Sequence, residues 1–220
     1  MQRRSVRATV LLVLATVALL ATDLGSKAWA ESTLSQPRTG APPPICEGRP
    51  QRLPGYRTTG ADGQPRIERG LVLLDPVLEL SYTENCGAAF GMFDSAPRWV
   101  FLLAAIAASI AFFWMFVQGR GGPLFVASVP LIVSGALGNF FDRARLGYVV
   151  DFIRFHYDQP FDILGWHFER FEYPTFNVAD ITIVIGMVLL ILDGVRSERK
   201  AGAEEGGSDE AEDLATPGRS

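Results

Sequence analysis

Residues 99–117 read WVFLLAAIAASIAFFWMFV, and residues 123–141 read PLFVASVPLIVSGALGNFF. Each run is 19 residues long and contains no Asp, Glu, Lys or Arg. About 20 apolar residues in a helix cross about 30 Å of hydrocarbon, so each run is long enough to span a bilayer. The QGRGG between them, residues 118–122, reads as a tight turn. Working outward, residues 175–192 hold one charge, Asp180, and residues 8–22 hold none before Asp23. Four such segments predict four transmembrane helices and exclude a soluble globular domain. The averages hide this, because 48% hydrophobic residues and a net charge of −4 look ordinary. The charge is clumped as well: the last twenty residues contribute −5 and the other 200 sum to +1. The acidic tail, residues 196–220, has few large apolar side chains and reads as a disordered cytoplasmic segment.

The N-terminus needs a decision. Arg3, Arg4 and Arg7, an apolar run and Ala28-Trp29-Ala30 together resemble a cleavable signal peptide. Asp23 and Lys27 would then fall just before the cleavage point, where charge is out of place. A retained helix over residues 8–30 puts both at its far end, so residues 1–30 are read as an N-terminal tail plus transmembrane helix 1. Residues 31–70 are different material, with seven of the fourteen prolines. That composition excludes a regular helix or a central strand and predicts an extended extracytoplasmic insert. In residues 71–96, Leu78, Leu80 and Tyr82 alternate with Glu79, Ser81 and Thr83, the period of a half-buried strand. Residues 97–195 hold helices 2–4 and an aromatic-rich loop, 142–175. The expected fold is an all-α integral membrane protein: four transmembrane helices with a small extracytoplasmic β-containing segment.

Arginines before helix 1, and Arg196, Arg199 and Lys200 after helix 4, place both termini in the cytoplasm. Arg143, Arg145, Arg154 and Arg170 in the opposite loop fit this topology only if local acids hold them. The polar residues at membrane level then collect at the outer face: Asp23, Lys27, Asn85, Asn139, Asp142, Arg143, Asp151, Asn177 and Asp180. Charges buried in hydrocarbon are costly unless paired or functional, so the charged members of this group are functional candidates.

Two cysteines and two histidines are too few for a Cys/His zinc site or a disulfide framework. Whether Cys46 and Cys86 are joined stays open. HExxH, GxSxG and GxxxxGK[ST] are absent, and no basic stripe points to nucleic acid. Ser26 and Lys27 are sequence neighbours on different helix faces, which argues against a serine–lysine dyad. The pair that suits chemistry is Asp151 and Asp180. Two carboxylates in a low-dielectric pocket cannot easily both ionise, so the pair holds one acid and one base. The residues alone leave a plain alternative open, with Asp180 favouring a helix N-terminus and Asp151 an ordinary loop acid. Asn139 and Asp142, at i, i+3, suit either a supporting shell or a helix-end cap. Asp23 and Lys27, at i, i+4, suit an ion pair. The run of small residues around Gly87 permits close approach by an extended peptide. The aromatic run through Phe155, His156, Trp166, His167 and Tyr173 reads as an interfacial belt, or as a face for a lipid-bearing substrate. A cation carrier and a membrane scaffold built on the Pro-rich insert are the non-catalytic alternatives.

Five motifs in order resemble the bacterial lipoprotein signal peptidase (signal peptidase II) family: Asp23-Leu24-Gly25-Ser26-Lys27, Asn85-Cys86-Gly87-Ala88-Ala89-Phe90-Gly91, Gly138-Asn139-Phe140-Phe141-Asp142-Arg143, Gly147-Tyr148-Val149-Val150-Asp151-Phe152 and Phe176-Asn177-Val178-Ala179-Asp180. The resemblance covers about residues 8–30 and 70–195. It implies a multi-pass inner-membrane aspartic endopeptidase that needs no metal or other cofactor. Such an enzyme cleaves prolipoproteins before the diacylglyceryl-modified cysteine, next to membrane lipid, and a monomer is expected. By motif position Asp151 and Asp180 are catalytic. Asp23, Lys27, Asn85, Gly87, Asn139, Asp142, Arg143 and Asn177 are supporting or substrate-binding. Inhibition by the cyclic peptide globomycin is implied as well. The insert, Cys86 in place of a more usual Thr, the long 151–180 stretch and the acidic tail depart from the family pattern.

Overall fold

The computed structural model describes residues 4–38, 41, 43–46, 50–60, 62–87 and 98–215. In chain order the elements are α1 (Val6–Thr33), β1 (Ser35–Pro37), β2 (Arg52–Pro54), β3 (Tyr56–Thr59), β4 (Pro65–Glu68), β5 (Leu71–Leu74), β6 (Leu78–Asn85), α2 (Arg98–Val117), α3 (Pro123–Arg145), β7 (Val149–Tyr157), β8 (Phe161–Ile163), β9 (Trp166–Phe168), β10 (Phe171–Glu172) and α4 (Val178–Ala215). The helices start and stop for local reasons. Ser5 caps α1, its hydroxyl accepting from the Ala8 N–H. Pro123 opens α3, where its missing N–H removes no helical bond. α3 runs beyond the apolar stretch and stops at Gly147, whose φ of +89° suits glycine. α4 likewise outruns its apolar part. It stays helical to Ala215 through a stretch whose composition reads as disordered but is rich in Ala and Glu, both good helix formers.

By length and composition α1, α3 and the Val178–Arg199 part of α4 can each cross a membrane. In α2 the apolar stretch described is only Ile106–Val117, so among the described residues three spans stand where four were expected. Large apolar side chains face outward, among them Val10, Leu14 and Val17 on α1 and Val184, Val188 and Ile191 on α4. Apolar outer faces of this kind suit lipid. At one end of the bundle Arg4 Nη2 donates to the Gly121 carbonyl at 2.9 Å, and the Gly122 N–H donates to Asp193 Oδ2 at 2.9 Å. The start of α1, the α2–α3 turn and the distal part of α4 therefore meet there. Leu12, Phe116, Phe125 and Val129 pack against one another as a buried cluster.

The other end is not helical, and here the all-α expectation is wrong. The described residues include ten strands in four sheets. The main sheet is antiparallel, in the order β10-β7-β6-β5. β1–β2, β3–β4 and β8–β9 form separate two-stranded hairpins. Prolines hid the first two. Pro is excluded from central strands but tolerated at edges, and a two-stranded ribbon is all edge. Pro37, Pro54 and Pro65 each sit in such a ribbon. The aromatic loop hid β7, which buries Val150 and Phe152 with Ala30, Leu34, Tyr82 and Tyr148 in a second core. That core fastens the sheet to the end of α1. Two arginines of this region have the acid partners that the topology required. Arg145 pairs with Glu31 at 3.3 Å, and Arg154 with Glu79 at 2.7 Å and Glu172 at 2.9 Å.

Candidate active site

The acidic residues meet where the sheet sits on the helix ends, and register explains how. Thr83 on β6 is opposite Asp151 on β7. Asn85, two residues on, shares the face of Thr83 and lies diagonal to Asp151. Its Nδ2 donates to Asp151 Oδ2 at 2.9 Å. On β7, Val150 and Phe152 point into the core, so the period of two turns Asp151 to the other face.

Asp180 arrives with the start of α4. Asn177 Oδ1 accepts from the Asp180 N–H at 3.1 Å, and Asp180 Oδ2 accepts from the Asn177 N–H at 3.1 Å. This is a reciprocal capping box, with Asn and Asp in the places of Ser and Glu. Asn177 also reaches the other acid: its Nδ2 donates to Asp151 Oδ1 at 2.6 Å. One residue thus holds both carboxylates. Asn139 on α3 donates from Nδ2 to Asp180 Oδ1 at 2.9 Å, while its Oδ1 accepts from Lys27 Nζ at 2.9 Å and from Asn177 Nδ2 at 3.2 Å.

Beneath this layer Lys27 is 2% exposed, Asp23 1% and Asp142 2%. Lys27 Nζ lies 2.9 Å from Asp23 Oδ2 and 3.4 Å from Asp142 Oδ2. Two backbone donors complete the cluster: the Ala179 N–H to Asp23 at 2.8 Å and the Val150 N–H to Asp142 at 3.0 Å. Gly138 lets α3 come close, since a Cβ there would collide with the Asp23 carboxylate. Arg143 Nη2 donates to the Gly87 carbonyl at 2.9 Å, and the Gly87 N–H donates to Asn85 Oδ1 at 3.1 Å.

Every site residue expected from the sequence therefore belongs to one connected network. Of the small-residue run, Ala88, Ala89, Phe90 and Gly91 lie outside the described residues. His156 and His167 lie off the network, 3.1 Å from Asp158 and 2.8 Å from Asp162. Among the described residues no group of three or more His, Cys, Asp or Glu is placed to hold a metal ion. Burial, and then the neighbouring Asp180 carboxylate, push the Asp151 carboxyl up to about 7. The amides of Asn85 and Asn177 pull the other way. At neutral pH the pair can therefore hold one proton between two carboxyls, the state that acid–base chemistry needs.

Sequence reading missed several contributors. The backbone donors of Val150 and Ala179 carry no residue signature. The apolar cavity beside Asp180, about 460 Å³, has an aromatic wall of Phe155, Phe171 and Tyr173, from the run read as a possible face for a lipid-bearing substrate, but its other wall of Phe176, Ile181, Val184 and Ile185 was not foreseen. Asp180, Ile181, Val184 and Ile185 follow helical spacing, which could have flagged the α4 wall.

The fold is one that bacterial membrane enzymes use. A bacterial membrane enzyme solved by the in meso method superposes with a TM-score of 0.60 at 23% identity, over 90% of this chain and 94% of that one. A lipoprotein signal peptidase of Clostridium tetani is 34% identical over 126 residues, covering 57% of this chain and 74% of the relative. One from Ralstonia nicotianae is 41% identical over 126 residues, covering 56% and 65%. The family model for signal peptidase (SPase) II matches residues 15–196. The chain belongs to the signal peptidase II family.

Proposed function

We propose that this chain is an aspartic endopeptidase that frees prolipoproteins of their signal peptide by cutting before the diacylglyceryl-modified cysteine, with Asp151 and Asp180 as the catalytic pair. The observation that carries the reading is Asn177, whose side chain bonds Asp151 and whose backbone bonds Asp180. The ionised carboxylate takes a proton from water, and the water oxygen attacks the scissile carbonyl carbon. The protonated carboxyl gives its proton to the carbonyl oxygen. On collapse the C–N bond breaks, the leaving amine takes the proton that came from water, and the other carboxylate regains its proton from a hydroxyl of the diol as the new carboxyl forms. Neither a metal nor a nucleophilic side chain is needed for this sequence. The apolar cavity beside Asp180 supports a substrate with lipid chains next to the scissile bond. A Cys46–Cys86 disulfide supports placing this end on the oxidising, extracytoplasmic side.

The test is cleavage of a diacylglyceryl prolipoprotein by wild type, Asp151→Asn and Asp180→Asn in detergent or lipid. Loss of an acid–base group lowers turnover by about 10²–10⁴-fold, and each variant should fall in that range or below. Near-normal turnover in either variant would remove that residue from the pair.

A further inference from the structure

We propose that the Pro-rich insert, residues 31–70, positions the catalytic pair, gripping the end of β6 through the Cys46–Cys86 bond and Glu84. The proposal rests on the reading above, in which Asp151 is catalytic. Three consecutive residues carry it. Glu84 accepts from the Gln51 N–H at 2.7 Å and from the Arg52 N–H at 2.8 Å, both in the insert. Asn85 donates to Asp151. Cys86 is bonded to Cys46, 40 residues away, with Cα atoms 5.6 Å apart. Gly87 follows and receives Arg143 on its carbonyl. The contact to the acid therefore sits between two attachments to the insert.

β6 needs such a grip. β5 pairs only with Leu78–Leu80, so the Thr83–Asn85 half of β6 has a strand partner on one side alone, β7. Strand ends paired on one side open readily. The insert covers the other side. It is itself anchored, because Arg52 Nε donates to Ser35 Oγ at 2.6 Å and β2 pairs with β1 directly after α1. Cys46 Sγ also lies 3.8 Å from the Gly147 carbonyl, where the chain enters β7. Both strands that present the site thus meet the insert.

Loosening the grip has a specific electrostatic effect. Among the described residues the charged groups around Asp151 are Asp180 on α4, Lys27 on α1 and Asp142 and Arg143 on α3, and none of these belongs to the insert. Among the described residues the insert reaches Asp151 through Asn85, whose donated hydrogen bond favours the ionised carboxylate. With Asn85 released, Asp151 holds its proton to higher pH.

The experiment compares full-length wild type, C46S/C86S and Glu84→Ala, each purified in detergent, on a diacylglyceryl prolipoprotein peptide. The expected result is a kcat lower by about tenfold in each variant, as for misplaced catalytic groups. KM should stay near wild type, and the upper limb of the pH–rate profile should move to higher pH. Both cysteines are exposed, so treating wild type with a thiol reductant should reproduce C46S/C86S. If wild type cleaves and both variants keep its kcat and pH limb, the coupling is overturned and the function stands. A loss of active fraction with an unmoved pH limb marks a merely structural tie and also overturns it. If wild type does not cleave, the function itself fails and the proposal fails with it.

Discussion

Two groups of aspartates lie a few side chains apart and are treated in opposite ways. Asp23 and Asp142 share Lys27, and each also accepts a backbone N–H. Asp151 and Asp180 share Asn177 and receive side-chain amides from Asn85 and Asn139. The first pair is tied to a buried cation in a closed ion-pair layer, whereas the second is held by neutral amides beside an apolar cavity. The same residue type therefore serves structure in one layer and can serve chemistry in the next. Asn139 touches both, bonded to Lys27 and to Asp180.

The sharpest way to break this comparison is Lys27→Met. Removing one partner of a buried ion pair typically costs about 3–5 kcal/mol, and here two acids lose their cation. Thermal unfolding in detergent should show a loss of that size, with partial recovery on adding Asp23→Asn. A neutral Lys27→Met would mean that charge does not hold the layer together.

The pH dependence comes next. The folded state raises Asp151 from 3.8 to about 7, so between those values it holds a proton that the unfolded chain releases. That stabilisation is complete below pH about 4 and is lost as pH rises to about 7, a change of up to about 4 kcal/mol. Unfolding free energy measured across this range should fall with rising pH in wild type and change less in Asp151→Asn. Equal slopes would place the proton elsewhere.

Gly138→Ala should be smaller. Its methyl meets the Asp23 carboxylate, and overpacking of this kind costs about 1–3 kcal/mol. Stability should drop while the pH–rate profile keeps its shape, because the damage stays in the lysine layer. Smallest is Asn85→Ala, where one hydrogen bond worth about 1 kcal/mol is removed from Asp151. Here the stability change should be slight and the upper pH limb should shift. A profile change for Gly138→Ala and none for Asn85→Ala would invert the assignment.

The helices were legible because hydropathy is written continuously along the chain, as in residues 99–117 and 123–141. Asp23, Asp142 and Asp180 stood out because charge at the end of an apolar run is conspicuous, whereas the pairing of Asp151 with Asp180 as a catalytic dyad rested on the ordered motifs of the family resemblance. Much of the β structure was not. Pro37, Pro54 and Pro65 argue against strands until hairpins made entirely of edges are considered. The register that sets Thr83 opposite Asp151 joins segments whose pairing no local pattern specifies. Lys27 and Asn139 are 112 residues apart, and only the packing of α1 on α3 makes them partners. The Cys46–Cys86 pairing was undecidable for the same reason, since two cysteines in a sequence carry no distance.

The register of β7 also has a consequence for how this chain can change in length. Asp151 alternates with Val150 and Phe152, which lie in the core. Inserting or deleting one residue between Asp142 and Asp151 would exchange them, sending the carboxylate into the core and a valine or phenylalanine to the site. The capping box allows as little freedom between Asn177 and Asp180. The β8–β9 hairpin bears no such constraint, because its strands pair only with each other. Lineages of this enzyme should therefore gain and lose residues freely around 158–170, and hold the spacings 142–151 and 177–180 constant.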